Sequence, residues 1–377
     1  MAIGVALIEA EKSFGDGTVF SSHTIYLNTP SPSLHAADSC TLPEHLSAIK
    51  ATEELELKAV YSSSQVDAEE LAAENGDVDA FFDSPNEQQR SFDALLCRKD
   101  IGAFIITLPL NLQADNIRRA LKAEKHVLSD APIAKDVETA KKLLEWYADR
   151  NGHALWSVGE SYRFKDTILF GGYQLKRLDG AVQTFTLKMY AMAKEDDKLY
   201  QCLARQDQGE HGGFVLDVGV HFVAAVRFLL SSANATITQV AAFTSLLRPE
   251  FSSTDTANAA LHLSNGNSGT MSLSFGTEFD SAFEIHIVTD KGAVMVTDRR
   301  VTVIKDGEEE DTEQEIRRDF PHEDLSLKRE LAVFATGILK EKEIERRGLP
   351  QESLADLKLV QAMIESGEEN GAVKAVD

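Results

Sequence analysis

Cysteine is scarce in this chain. Cys40, Cys97 and Cys202 are the only three, and they form no Cys-x-x-Cys pair. That excludes a disulfide framework and a dithiol motif, and an odd number of thiols fits a reducing, cytoplasmic setting. Positive charge is short as well: 38 Lys and Arg face 61 Asp and Glu, a net charge of −23. Phosphate-backbone binding needs clustered Lys and Arg, so no nucleic-acid partner is expected. The acidity speaks for solubility and leaves the substrate open. No run is expected to span a membrane, and Met1–Glu11 lacks the basic segment and the longer apolar run of a signal peptide. What remains is an ordinary globular composition, 43% hydrophobic and 26% charged, in 377 residues. That length accommodates two domains, each with a core of its own.

Glycine is missing where it would matter most. Ile3–Ile8 is a continuous apolar run, as in the buried first strand of a parallel sheet. In a dinucleotide fold Gly-x-Gly-x-x-Gly would follow, so that backbone can approach a pyrophosphate at a helix N-terminus. Here the chain reads Glu9-Ala10-Glu11-Lys12-Ser13-Phe14. Two carboxylates repel a phosphate, and side chains obstruct its approach. Phe14–Thr41, rich in Ser, Thr, Pro and Gly, reads as an insertion in the first strand-to-helix loop: a plug or lid over the groove, or a gene-model or splicing artefact.

Beyond it, helices are expected at Leu42–Ala51, Phe92–Arg98, Ala114–Ala123 and Val137–Tyr147. Strands are expected at Leu57–Tyr61, Ala103–Leu108 (running into Pro109), His126–Leu128 and Ala154–Val158. This alternation predicts a doubly wound parallel sheet. In the second half, Gln183–Met192, Thr238–Leu246, Ala257–Leu263, Gly269–Phe275 and Phe283–Val288 alternate as half-buried antiparallel strands, separated by turns such as Asn265-Gly266-Asn267. Asp306–Glu315 reads as a solvated acidic loop. Leu325–Arg346 and Gln351–Glu365 read as closing helices, followed by a frayed end. The fold class is therefore α/β for residues 1–155, a Rossmann-type doubly wound parallel sheet with 14–41 inserted. Residues 156–377 form an α+β domain with a large, open, mostly antiparallel sheet.

Three motifs carry a family resemblance. Lys125–Lys135, KHVLSDAPIAK, resembles the turn of the glucose-fructose oxidoreductase / inositol dehydrogenase / MocA family, where Glu-Lys-Pro stands in place of Asp130-Ala131-Pro132. Glu160-Ser161-Tyr162-Arg163-Phe164 is similar to its Glu-Asn-Tyr-Arg-Phe crossover, where Arg163 is expected to tie the domains together. Gly212-Gly213-Phe214-Val215-Leu216-Asp217-Val218-Gly219-Val220-His221 resembles Gly-Gly-x-x-x-Asp-x-Gly-x-His. Thr107-Leu108-Pro109-Leu110-Asn111 matches the turn beside the nicotinamide ribose.

The resemblance implies that Tyr162, Asp217 and His221 face substrate, with His221 able to exchange protons. Asp217 and His221, four apart, are expected on one helical face. It further implies cofactor contacts at Thr107, Pro109 and Asn111, and a homodimer built through the second sheet. The family's catalytic lysine is Ala131 here. The fungal-type branch, which the chain resembles most, places a phosphate-holding Arg where Ser63 stands, and Glu9 and Glu11 replace the phosphate-loop residues.

No cofactor is therefore expected, or NADP or NAD if the site still works, and no metal: His211, Asp217 and His221 make no tight ligand spacing. The expected partner is a small organic substrate in the interdomain cleft. Three activities follow: non-redox catalysis of cyclase, isomerase or dehydratase type; NAD(P)-dependent oxidation of a sugar, polyol or dihydrodiol; or a non-catalytic ligand sensor or regulatory partner.

Overall fold

A computed structural model of the chain describes residues 2–9, 42–192, 213–249, 254–306, 313–321, 324–341 and 344–376. Six parallel strands build the first sheet: β1 Ile3–Glu9, β2 Leu55–Tyr61, β3 Asp79–Phe81, β4 Ala103–Thr107, β5 His126–Asp130 and β6 Trp156–Gly159, in the order β3-β2-β1-β4-β5-β6. Helices α1 Leu42–Ala51, α2 Gln65–Glu74, α3 Phe92–Leu96, α4 Leu110–Lys122 and α5 Val137–Asp149 alternate with these strands. Both faces are covered, which is why the strands read as unbroken apolar runs. Along β1, Val5 and Leu7 enter one hydrophobic cluster while Ala6 and Ile8 enter the other, the two-residue period of a strand buried on both sides.

The second sheet has nine strands: β7 Val182–Tyr190, β8 Ile237–Ser245, β9 Thr256–Leu263, β10 Ser268–Ser274, β11 Ala282–Thr289, β12 Gly292–Thr297, β13 Arg300–Asp306, β14 Glu313–Asp319 and β15 Lys374–Ala375. Their order is β14-β13-β12-β11-β7-β10-β9-β8-β15. Among the described strands of this sheet, only β7 and β10 pair in parallel. Strands β9 and β11 alternate between buried and open positions, so one face is packed and the other left open. The packed face carries α6 Asp166–Leu178, α7 Gly213–Asp217, α8 Gly219–Ser232 and α10 Pro350–Glu368. The Gly171-Gly172 pair lets α6 lie flat: a Cβ on Gly171 would come 2.7 Å from Val296, and one on Gly172 2.8 Å from Phe228 of α8.

Three expectations are corrected, and the one long apolar helix among the described residues is accounted for. The end of the chain is not frayed, because Lys374 and Ala375 pair with β8. Glu313–Glu315 belong to β14, where cross-strand pairing with β13 holds the acidic residues in register. Gly213–Ser232 is long and apolar enough by composition to cross a membrane, but most of it is buried in the protein, as in a core helix. The helix expected at Leu325–Arg346 ends at Leu339. This element, α9 Ser326–Leu339, leaves the second half and packs against α1 over the first sheet, through Leu331, Phe334 and Ala335. The inserted stretch 14–41 and residues His211 and Gly212 lie outside the described residues.

Candidate functional site

The strand order reverses between β1 and β4, and ligands of open α/β sheets bind outside the carboxyl ends of the strands at such a point. Four residues mark those ends. Glu9 is in register with Thr107, and Asp130 with Gly159. Around them the fold gathers a group of ionisable side chains that are remote from one another in the chain.

His45, in the first turn of α1, is buried and sets Nε2 3.4 Å from Asp130 Oδ1. Its Nδ1 is enclosed with no hydrogen-bond partner. Burial works against a charge on this imidazole, but Asp130, with Glu330 and Glu9 behind it, wins and raises its pKa to about 9. His45 is thus an imidazolium at neutral pH. Glu330 of α9 accepts the backbone N–H of Glu160. Burial, together with the neighbouring Glu160 and Asp130 carboxylates, pushes Glu330 up to about 8, so it keeps its proton at neutral pH.

Gly159 is the contact point of this group. A Cβ there would lie 3.2 Å from Glu330 Oε2 and 3.5 Å from Asp130 Oδ1. Gly159→Ala is expected to cost about 1–3 kcal/mol by overpacking, read from the shift of the urea midpoint at constant slope.

His221 lies in the first turn of α8. Its Nδ1 is 2.8 Å from Glu160 Oε2, and both side chains are almost fully enclosed. Burial opposes protonation and Glu160 overcomes it, so the pKa of His221 is raised. Nδ1 is engaged by Glu160, which leaves Nε2 as the ring's other proton-carrying nitrogen. Tyr162 stacks on the imidazole with its ring centroid 6.3 Å away, and its own edges meet Phe222 and Phe283.

Three sequence expectations bear on this group. Tyr162 is fully buried and packs on His221, which is itself buried. Asp217 ends α7 and His221 stands in the first turn of α8, and the two helices follow one another through Val218, itself in helical conformation. The hydrogen-bond partner of His221 is Glu160, from the crossover after β6. Arg163 also differs: it pairs with Asp356 on α10, so it ties the crossover to the closing helix within the second domain. Arg227 of α8 joins the same carboxylate and also Glu352. Burial pushes Asp356 up and the two guanidiniums pull it back. Arg163 stays cationic against its own burial through Asp356.

The residues expected beside the nicotinamide ribose lie at the end of β4 and the start of α4. Thr107 ends β4 and donates its hydroxyl to Ile8 O at 3.3 Å, Pro109 caps α4, and Asn111 is exposed in the first turn. The described ends of the phosphate side are acidic. Glu9 sits at the end of β1 near enough to act on His45, and α1 opens with Glu44 in its first turn. Carboxylates at both ends of this crossing oppose a pyrophosphate. Ser63 is an exposed neutral hydroxyl before α2, Ala131 is a buried methyl, and Glu11 lies outside the described residues.

His45, Glu160, Glu330 and Asp356 were not singled out from sequence as site residues. For His45 and Glu330 a signal existed: each sits beside apolar residues on the buried stripe of its helix, next to Leu46 and Leu331. A charged residue inside such a stripe requires a partner.

This architecture, a doubly wound nucleotide-type domain followed by an open antiparallel sheet with the cleft at the strand ends, is that of the two-domain oxidoreductases. Residues 41–158 match the model of the oxidoreductase family with NAD-binding Rossmann fold, and residues 180–295 match the GFO/IDH/MocA C-terminal domain. The chain belongs to the GFO/IDH/MocA oxidoreductase family. It is 35% identical over 334 residues to Dehydrogenase FPY6 of Fusarium mangiferae, covering 88% of this chain and 95% of that protein. With inositol 2-dehydrogenase of Rhizobium meliloti it shares 23% over 262 residues, 69% of this chain and 74% of that one. Among solved structures, an oxidoreductase from Thermotoga maritima superposes with a TM-score of 0.76 at 23% identity, covering 100% of this chain and 99% of that one. An oxidoreductase from Agrobacterium radiobacter, solved with NAD+, L-tartaric acid and magnesium, gives 0.77 at 14%, covering 100% and 99%.

Proposed function

We propose that this protein binds a small organic molecule in the cleft at the ends of β1, β4, β5 and β6 and acts on it by proton transfer, without a hydride step. The reaction class is that of an isomerase, cyclase or dehydratase. The observation that carries this reading is the His221–Glu160 pair at 2.8 Å. It is an oriented acid, built and enclosed, beside a dinucleotide groove whose phosphate side is acidic. Glu160 fixes the ring and favours its charged form. His221 gives a proton through Nε2 and takes one back, which requires no co-reactant. Asp130, part exposed beside His45, offers the carboxylate that can receive a proton from carbon or oxygen.

The test uses solvent deuterium. The protein is incubated in D2O with sugar acids, polyols and their keto forms, without NAD(P), and carbon-bound deuterium is followed by NMR. Exchange is expected without cofactor and is expected to fall by roughly 10²-fold in Glu160→Gln. Turnover that appears only with NAD(P), or micromolar NADP affinity by calorimetry, sinks the proposal.

A second reading, nicotinamide-dependent oxidation of a sugar or polyol, draws support from the 35% identity to a protein named a dehydrogenase and from the retained Thr107–Asn111 turn. The two readings separate at Ala131. Under the proton-transfer reading Ala131→Lys alone yields no NAD(P)H from any polyol, because the phosphate side remains acidic. NAD(P)H formed by that single variant reverses the preference. The open face of the nine-stranded sheet is proposed as the homodimer surface, with light scattering on a sizing column as its check.

A further inference from the structure

A cavity lies at the end of α8 remote from His221. It has a volume of about 700 Å³, bounded by the last turns of α6 and α8, the start of β8 and the start of α10, and it falls within the size range of ligand pockets. Helix α8 separates it from the proposed catalytic cleft. His221 is in the first turn of that helix and Ser232 at its end, about 16 Å away at the helical rise of 1.5 Å per residue. The three-residue neighbourhood after Glu160 faces both ways: Tyr162 stacks on His221, while Arg163 lines the far cavity.

The charge of this cavity runs against the rest of the molecule. Arg163, Lys176, Arg227, Arg346 and Arg347 line it, against Asp179 and Glu352, with Asp356 and Glu345 pairing three of the arginines from behind, in a chain whose overall charge is −23. The arginines are held in place before any ligand arrives. Arg163 and Arg227 share Asp356, and Arg347 stacks over Phe164 at 4.3 Å from the ring centroid. Their donors are not exhausted by these bonds, since a guanidinium carries five N–H groups. Arg346 gives Nε to Glu352 at 2.9 Å, and its side chain is 74% exposed, which leaves its two terminal nitrogens at the mouth. Lys176 is exposed on α6.

We propose that this cavity is a binding site for a small polyanion, a di- or tricarboxylate or a phosphate ester, separate from the catalytic cleft. Fixed guanidiniums suit planar, bidentate recognition of carboxylate and phosphate oxygens, and their prior immobilisation lowers the entropic cost of binding. Arg163 and Arg227 form the floor, and Arg346, Arg347 and Lys176 form the rim. Because Arg163 is rooted beside Tyr162 and Glu160, an occupant here would be an effector of the cleft and not its substrate.

Citrate and inorganic pyrophosphate are the probes, titrated calorimetrically into the full chain at low salt. One-site binding is expected. It is expected to weaken at least about tenfold in the double variant Lys176→Glu, Arg346→Glu, both exposed positions whose charge reversal acts on the rim. The control double variant Lys50→Glu, Lys99→Glu carries the same change in net charge on the first domain and should leave affinity within about twofold. Three results overturn the proposal: no saturable binding of either probe, equal weakening by both double variants, or full affinity in the rim variant. The last would put the anion in the dinucleotide groove.

Discussion

Asp356→Ala is expected to lower the unfolding free energy by roughly 3–5 kcal/mol, the cost of breaking a buried ion pair by removing one partner. Asp356 is fully enclosed on α10 and receives Arg163 from the crossover and Arg227 from α8. Removing the carboxylate leaves Arg163, with only 4% of its side chain exposed, as an uncompensated charge in the protein interior. Arg227 has Glu352 to fall back on and is partly exposed, so Arg163 dominates the loss. Asp356→Asn keeps an acceptor oxygen without the charge and should lose less than the alanine variant. Urea unfolding followed by circular dichroism checks both. A loss below about 1 kcal/mol for Asp356→Ala would mean that Arg163 reaches water once released.

The second large effect is on pH. His45 holds its proton in the folded protein up to about 9, against 6.5 for a free imidazole. The stability it contributes is therefore complete below 6.5 and lost as pH rises through about 9. Glu330 binds its proton in the fold up to about 8, against 4.5 when free. Its contribution is complete below 4.5 and lost as pH rises through about 8. His221, also raised, acts in the same sense from 6.5 upward. The slopes add, since in each case the folded state binds more protons than the unfolded chain.

Stability is thus expected to fall by roughly 3 kcal/mol or more between pH 6.5 and 9, the equivalent of the His45 shift alone. Glu330→Gln isolates one part. Its carbonyl can still accept the Glu160 amide, while the carboxylate that must ionise beside Glu160 and Asp130 is gone. At pH 9 this variant should be more stable than the wild type, and its pH profile shallower. A flat wild-type profile from pH 6 to 9, or a variant less stable than wild type at pH 9, would show that the group is solvated.

The layered fold was readable from sequence because its signal is local. Apolar runs such as Ile3–Ile8, and the alternation along Phe283–Val288, follow the two-residue period of strands within single segments. Short motifs around Asp130, Glu160 and His221 were equally local, and they placed the chain in its family and pointed to His221. Element ends were less legible, because caps and pairing partners decide them. Leu110–Lys122 begins four residues before the expected helix, with Pro109 as its cap.

By itself, then, the sequence determined two domains, a parallel and a mainly antiparallel sheet, the loss of glycines after β1, and the absence of a lysine at Ala131. Only the tertiary structure decided which charges meet. Glu160 reaches His221 across 61 positions, Glu330 reaches the Glu160 amide across 170, and Arg163 reaches Asp356 across 193. Periodicity tells which face of a helix is buried but not against which element it is buried. Once α9 returns to the first sheet and α10 closes over α8, charged residues on buried faces must find partners, because an unpaired charge is too costly to leave inside. Helix packing therefore assembled the site from residues that no local pattern connects.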